Sequence, residues 1–214
     1  MDRKELVRAL VEDHGRLWSE EIGAKIEADT PEDWFHWLLA ALLMSARIDV
    51  TKAAQASAAL RLEDLRTVPA VLDCDRAHLV RVLNENGYAR FDNKAADQIR
   101  EAAELVEREY GGDLRRLREA GGDAEGIRAR LKQVKGIGDV GADIFAREAQ
   151  LAWDELFPMA DPHAVRQAQA LGLPERPEEL AQIAGGRLRF VRLVTGLARS
   201  WLAGASDRVK EAAG

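Results

Sequence analysis

Apolar residues recur at intervals of three and four along almost the whole chain, which is the spacing of one face of an α-helix. The pattern begins with Leu6, Val7, Leu10 and Val11, and a first helix is predicted to end near Gly15. No segment shows the strict alternation of apolar and polar residues that is typical of a half-buried strand. The pattern therefore predicts an all-α protein of roughly ten helices.

Helix-capping residues sharpen this prediction. Thr30, Pro31, Glu32 and Asp33 precede the apolar segment WFHWLLAALLMSA. A capping hydroxyl, a proline at the first helical position and two carboxylates in the first turn favour a helix start. This helix is predicted to lie buried at the centre of the fold. Further helices are predicted after Asp49, after Asp75, over about 92–110, after Asp123, after Asp161 and over about 187–203.

Three glycines interrupt the helical pattern in LKQVKGIGDVGADIF, residues 131–145, between a basic helix and an apolar one. Glycine permits positive φ and a close approach of the backbone to a ligand. The N–H groups at the start of the second helix, with the positive end of its dipole behind them, would suit a phosphate. A purely structural turn fits the same spacing. A dinucleotide-binding loop is excluded because no strand precedes GIGxxG.

Charge is distributed unevenly along the chain. The net charge is −6, which weighs mildly against a nucleic-acid partner. The stretch from Arg115 to Lys135 nevertheless holds seven basic and three acidic residues. Such a cluster is either a solvated helix face or a contribution to binding a phosphate backbone.

Composition narrows the class of protein further. Hydrophobic residues make up 47% and charged residues 32% of the chain, the balance of a folded domain rather than a disordered segment. Cys74, the single cysteine, excludes an internal disulfide and a four-cysteine metal cluster. The polar start is unlike a signal peptide, and the longest apolar run, 34–46, is too short to span a membrane. We therefore expect a cytoplasmic protein with no membrane partner.

Several segments resemble one family in the same order along the chain. LKQVKGIGDVGA, from Leu131 to Ala142, resembles the helix-hairpin-helix of the endonuclease III-like DNA glycosylase superfamily. Its members carry an essential aspartate about twenty residues later, where this sequence has MADPHAVR with Asp161. LLMSARIDV, from Leu42, and GYARFDNKAADQIREAAELV, from Gly87, resemble two upstream segments of the family.

The resemblance implies two helical subdomains with a DNA-binding cleft between them. One would be formed by residues 1–29 and 143–214, and the other by residues 30–142, with the helix-hairpin-helix at about 124–142. It further implies that the protein flips an aberrant base out of double-stranded DNA and cleaves its N-glycosidic bond, with a damaged or mismatched duplex as partner. We expect a monomer.

The resemblance assigns roles to individual residues. Asp161 would be the catalytic carboxylate, which stabilises a cationic sugar or activates water; locally it also reads as a helix cap, and the two roles are compatible. The DNA backbone would be bound by consecutive residues of the turn and the helix start: Lys135, Gly136, Ile137, Gly138, Val140 and Gly141. Members that also cut the strand carry a lysine where this chain has Val140, so lyase activity is not expected.

Other positions leave alternatives open. Asp139 places negative charge at the proposed phosphate site. Arg47 stands where relatives have a glutamine that fills the hole left by the flipped base, and it is either that wedge or an ordinary exposed arginine. Trp34, Trp37 and Trp153 could line a base pocket by stacking. For Trp34 and Trp37, helical spacing favours a place in the core instead. No metal or other cofactor is expected for the chemistry. The alternative function is a non-catalytic helix-hairpin-helix protein that binds DNA or another partner.

Overall fold

The computed structural model of the protein describes residues 3–204, and these are mostly helical, with no β-strand. The predicted all-α class is confirmed. Shorter 3-10 or π-helical turns lie at Leu10–His14, Ile26–Ala28, Asn84–Tyr88 and Asp154–Leu156. The α-helices in this range are α1 Arg3–Ala9, α2 Trp18–Ile22, α3 Pro31–Met44, α4 Val50–Leu62, α5 Val68–Asp73, α6 Arg76–Leu83, α7 Asp92–Tyr110, α8 Leu114–Gly121, α9 Ala124–Leu131, α10 Asp139–Ala149, α11 Pro162–Ala170, α12 Pro177–Ala184 and α13 Arg187–Leu202.

Side chains cap most of the predicted helix starts. Thr30 Oγ1 accepts a hydrogen bond from the Asp33 backbone N–H at 3.3 Å. Four aspartates do the same for α4, α6, α9 and α11, each accepting from the backbone N–H of the second or third residue of its helix: Asp49, Asp75, Asp123 and Asp161. A capping side chain satisfies N–H groups that have no partner inside the helix. These helix starts could therefore be located from sequence alone.

The chain divides into two compact units. Unit 1 comprises the described residues 3–17 and 146–204, and unit 2 comprises residues 18–145. Unit 2 is organised around α3, in which every residue from Asp33 to Met44 is buried. The predicted buried helix is thus present, and α4, α7 and α8 pack against it.

Unit 1 is built around α13, which packs against α11, α12 and the π-helical turn 10–14. Its core includes Leu10, Phe190, Val194 and Leu197, all without exposed surface. Gly196 lies against the backbone of the π-helical turn, where a Cβ atom would stand 2.7 Å from the Leu10 carbonyl oxygen. A residue with a side chain would separate these two segments.

The unit boundaries fall at 17/18 and 145/146, whereas the resemblance placed subdomain boundaries at 29/30 and 142/143. Side-chain contacts account for the difference. Trp34 Nε1 donates to Asp29 Oδ1 at 2.6 Å, which ties the segment before α3 to that helix. Trp37 Nε1 donates to the Phe145 carbonyl oxygen at 3.1 Å, which ties α10 to α3 as far as Phe145.

Within residues 3–204, no helix combines the length and the apolar character needed to cross a membrane.

Candidate nucleic-acid interface and candidate catalytic residue

The segment with the three glycines forms a turn between α9 and α10, which we call the hairpin turn (residues 132–138). Val134 and Ile137 are buried and anchor it, while Lys132, Lys135, Gly136 and Gly138 are exposed. The Ile137 N–H donates to the Val134 carbonyl oxygen at 2.9 Å. The observed arrangement is a helix, a tight turn and a second helix, as predicted.

The three glycines of this segment differ in their backbone conformation and in the space around them. Gly136 has a φ of +99°, and an added Cβ would lie 2.5 Å from Gln98 Nε2. Gly141, inside α10, lies close to Ile137 and Ser45. Gly138 has neither constraint: its φ is outside the left-handed range, and a Cβ there would meet no atom within 4 Å. Its missing side chain leaves open space at the start of α10.

The first turn of α10 adjoins this open space. The first residues of a helix have no intrahelical acceptor for their N–H groups, and Gly138 has no side chain with which to cap them. The first turn contains Asp139 and Val140, both exposed, and Val140 retains 53% of its accessible surface. Val140 provides no amine at this position.

The cations around the hairpin turn are paired with carboxylates. Lys132 Nζ lies 2.9 Å from Asp139 Oδ1, and this ammonium holds the pKa of Asp139 below its usual value. Lys135 Nζ lies 2.7 Å from Glu101 Oε1. In the helix before the turn, Arg128 pairs with Asp143. Much of the basic cluster seen in the sequence is therefore neutralised locally.

Asp161 is buried at the start of α11 in unit 1. Its Oδ1 accepts from the backbone N–H groups of His163 and Ala164, at 2.9 and 3.4 Å. Its Oδ2 lies 2.7 Å from Arg147 Nε, and the two side chains are 1% and 4% exposed. The contact is electrostatic rather than an aligned hydrogen bond, since neither atom has a hydrogen-bond partner. The predicted cap is present, and the carboxylate is closed off from solvent.

The three tryptophans considered for a base pocket are all fully buried. Trp34 also packs against the ring of Phe145, with centroids 5.9 Å apart. A ring without exposed surface cannot stack on a base, so Trp34, Trp37 and Trp153 are core residues in this structure. For Trp34 and Trp37 this is the alternative that their spacing favoured.

Arg47 is exposed and lines a pocket of about 330 Å³ that lies wholly within unit 2. The pocket is bounded by the end of α3, the start of α7 and the hairpin turn, and its walls include Ser45, Tyr88, Phe91 and Gly136. The structure thus brings Arg47 and one glycine of the hairpin turn to the same pocket.

Within the part of the chain that the structure describes, no three His, Cys, Asp or Glu residues are arranged to hold a metal ion. Cys74 is half-buried, and burial raises the pKa of its thiol.

Sequence reasoning missed two features of these sites. Arg147 was not identified as the partner of Asp161, although the charged pair Arg147-Glu148 inside the apolar segment 142–153 was a signal that a buried charge needs a partner. The pocket was also missed. Phe91, Gln98 and Gly136 meet there from distant parts of the chain, and no local spacing indicates such a meeting.

Comparison with known proteins gives a likeness in fold. No protein-family model matches the chain, and no curated protein does. Among solved structures, the chain resembles a trapped covalent intermediate of endonuclease III with DNA, an estranged-adenine complex. The TM-score is 0.51 at 16% sequence identity, over 94% of this chain and 86% of that one. At this identity the likeness shows a shared fold: the protein has the helical fold of an endonuclease III.

Proposed function

We propose that this protein binds double-stranded DNA at the hairpin turn and acts as a monofunctional DNA glycosylase, with Asp161 as its catalytic carboxylate. The observation that carries the DNA-binding part is Gly138. Neither its backbone conformation nor its packing requires glycine, yet a side chain there would obstruct anything that approaches the N–H groups of α10. A phosphate group suits these N–H groups and the helix dipole behind them.

The fold supports the same proposal, because the similar structure is of an enzyme caught in a covalent complex with DNA. The paired cations of the hairpin turn imply a weak electrostatic contribution, so the backbone N–H groups would carry most of the phosphate contact. Three or four phosphates neutralised by lysine or arginine would give a slope of about −3 for log K against log salt concentration, and the pairing of Lys132 and Lys135 predicts a shallower slope.

For the chemistry, we propose that Asp161 stabilises positive charge on the sugar while the base departs. Water would supply the oxygen that bonds to the sugar carbon, and the departing base would take up a proton. Val140 offers no amine for a Schiff base with the opened sugar, so the strand would remain intact after base release. Arg147 and two backbone N–H groups hold the carboxylate in one orientation. The carboxylate would need to be uncovered, since it is 1% exposed.

That burial favours a second candidate function, a DNA-binding protein without glycosylase activity. In this alternative, the Asp161–Arg147 pair only stabilises unit 1, and the hairpin turn binds duplex DNA for its shape. The two candidates share the DNA interface and differ in base release.

The first experiment tests the DNA interface by comparing wild type with Gly138→Ala and with Gly186→Ala, two glycines with no atom within 4 Å of an added Cβ. Fluorescence anisotropy with a labelled duplex at several salt concentrations gives the affinity and its slope. We expect Gly138→Ala to weaken binding at least several-fold and Gly186→Ala to leave it unchanged. Equal affinities for all three proteins would refute the hairpin interface, and no binding at low salt would refute DNA binding altogether.

The second experiment tests base release. Purified protein is incubated with duplexes carrying deaminated, oxidised, alkylated or mismatched bases, and alkali then breaks the strand at abasic sites. We expect breaks with one class of lesion, none without alkali, and none with Asp161→Asn. Asparagine is also a good helix cap, so this variant tests the charge rather than the cap. DNA binding without breaks on any duplex would establish the non-catalytic alternative.

A further inference from the structure

Gln150 is a fully buried amide that neither the proposed phosphate contact nor the proposed chemistry uses. It follows directly after α10, three residues beyond Arg147 and eleven before Asp161. Burying an amide costs free energy unless its donors and its acceptor are bonded. The partners of this side chain therefore show which parts of unit 1 it holds together.

The Gln150 amide forms a two-way hydrogen-bond pair with the backbone of Met159. The Met159 N–H donates to Oε1 at 2.8 Å, and Nε2 donates to the Met159 carbonyl oxygen at 2.9 Å. Because a backbone N–H only donates and a backbone carbonyl only accepts, this pair fixes which end of the amide faces which group. Met159 lies two residues before Asp161, so the amide holds the segment that leads into the carboxylate.

The same amide also holds the backbone of Arg147. Its Nε2 donates a second hydrogen bond, to the Arg147 carbonyl oxygen at 2.9 Å. Arg147 and Asp161 are the two members of the buried ion pair, in which Nε and Oδ2 lie 2.7 Å apart. Gln150 thus joins the main chain at one member of the pair to the main chain just before the other. The separation of guanidinium and carboxylate depends on this one side chain.

Gln150 is itself held from the start of α13. The Arg187 Nε donates to the Gln150 carbonyl oxygen at 2.7 Å, and the same guanidinium pairs with Asp154. It also lies 4.9 Å from the centroid of the Phe157 ring. Arg187 therefore binds the segment between α10 and α11 at three points, and all of these contacts lie within unit 1.

We propose that Gln150 is a positioning residue for base release, because its amide sets where the Asp161 carboxylate stands relative to Arg147. This inference rests on the proposed function. A carboxylate that stabilises charge on a sugar acts through its distance and direction, and a misplacement of about 1 Å lowers a rate roughly a hundredfold. Since Gln150 is fully buried, its loss should slow base release without changing DNA affinity.

The experiment compares Gln150→Met with a matched control. Methionine has nearly the length of glutamine and removes all three hydrogen bonds of the amide. The control is Gln167→Met: Gln167 is also fully buried in unit 1, lies in the helix that Asp161 caps, and donates to Ser200 Oγ at 2.7 Å. Single-turnover assays on a duplex from which wild type releases a base give the maximal rate, and fluorescence anisotropy gives the affinity.

We expect Gln150→Met to slow base release at least about tenfold with unchanged DNA affinity, and Gln167→Met to retain both. Arg187→Gln keeps the test decisive where Gln150→Met does not fold. Arg187 is half-buried, and its loss frees the Gln150 carbonyl while the amide bonds remain. This variant should show a smaller decrease in rate, again with unchanged affinity.

Hydrogen exchange gives a second readout, which does not depend on activity. The backbone N–H groups of His163 and Ala164 donate to Asp161 Oδ1, so their exchange reports whether the carboxylate keeps its place. At equal overall stability, both groups should exchange at least several-fold faster in Gln150→Met than in Gln167→Met. Equal exchange in the two variants would show that Gln150 does not position the carboxylate.

The outcomes separate this inference from the proposed function. If wild type releases a base and Gln150→Met is as fast, or if Gln150→Met and Gln167→Met are slowed equally, the positioning role is overturned while the proposed function stands. If wild type releases no base from any duplex, the proposed glycosylase function fails, and the role of Gln150 in catalysis fails with it.

Discussion

Arg147 and Asp161 form an ion pair that is almost completely removed from solvent, with Nε and Oδ2 2.7 Å apart and side-chain exposures of 4% and 1%. Removing a guanidinium and a carboxylate from water is costly, and their mutual attraction offsets that cost only while both are present. The carboxylate proposed for catalysis is therefore also part of the internal structure of unit 1, and its substitution should affect stability as well as activity.

We expect Asp161→Asn to lower the free energy of unfolding by about 3–5 kcal/mol, because it leaves the Arg147 charge buried without a partner. Arg147→Met should destabilise by a similar amount. The double variant should be less destabilised than the sum of the two, since it removes both charges. Urea denaturation at neutral pH measures the free energy of unfolding of wild type, the two single variants and the double variant.

The control for this cycle is Glu178→Gln, which breaks an exposed pair with Arg176 at 3.7 Å. This substitution should change the free energy of unfolding by less than about 1 kcal/mol. Additive effects of Asp161→Asn and Arg147→Met would contradict the coupling. The same measurements show under which conditions Asp161→Asn remains folded. The activity of this variant must be assayed under those conditions.

Asp139→Asn should strengthen DNA binding. The substitution removes a carboxylate at the start of α10 and frees Lys132, whose ammonium lies 2.9 Å away. Each additional cation that reaches a phosphate steepens the salt slope by about one. Anisotropy titrations over a salt series should show a tighter complex at low salt and a steeper slope than wild type.

Glu109→Gln is the matched control, since it frees the exposed Arg108 in α7 and removes the same net charge. If this control strengthens binding as much as Asp139→Asn does, the effect reflects total charge. In that case Asp139 has no special position relative to bound DNA.

Gly196→Ala should destabilise unit 1, although alanine is the better helix former by about 1 kcal/mol. The new Cβ would lie 2.7 Å from the Leu10 carbonyl oxygen, and a backbone atom yields less than a side chain. Overpacking of this kind costs roughly 1–3 kcal/mol. Thermal unfolding should show a lower Tm for Gly196→Ala and a smaller decrease for Gly186→Ala, which alters only the N-cap of α13 and whose added Cβ meets nothing within 4 Å. A raised Tm for Gly196→Ala would show that helix propensity outweighs the contact.

Sequence reasoning succeeded where structure is decided locally. Asp49, Asp123 and Asp161 each cap the helix that follows them, because an acceptor at that position bonds to N–H groups two or three residues away. The turn at Gly136 was readable for the same reason, since a φ of +99° favours glycine. Helices α2, α8 and α12 were missed because short helices carry little periodicity of their own.

Features that depend on distant partners could not be read in this way. Lys135 belongs to a basic cluster in the sequence, yet its partner is Glu101, 34 residues earlier. Arg147, near the end of α10, pairs with Asp161, at the start of α11. The pocket beside Gly136 is lined by residues of α3, α7 and the hairpin turn. The sequence therefore indicated which residues were candidates for chemistry, while their charge state and access to solvent depended on the tertiary structure.

His36 in α3 is a buried histidine held in its neutral form. Its Nε2 lies 2.8 Å from the Ser57 carbonyl oxygen, to which it donates, and Nδ1 is buried without a hydrogen-bond partner. Burial lowers the pKa of the imidazole below 6.5, and the nearby Arg61 acts in the same direction. The unfolded chain has no such constraint, so the two states bind protons differently in mildly acidic solution.

Because the folded-state pKa of His36 is lowered, the unfolded chain binds more protons as the pH falls below about 6.5. The contribution of His36 to stability should therefore be fully present above that pH and decline below it, by at most about 1.4 kcal/mol per pH unit. His36→Gln keeps a donor for the Ser57 carbonyl oxygen but does not titrate, so its unfolding free energy should fall less between pH 7 and 5.5. Urea denaturation across this pH range measures both slopes, and equal slopes for wild type and His36→Gln would show that His36 takes up its proton without unfolding.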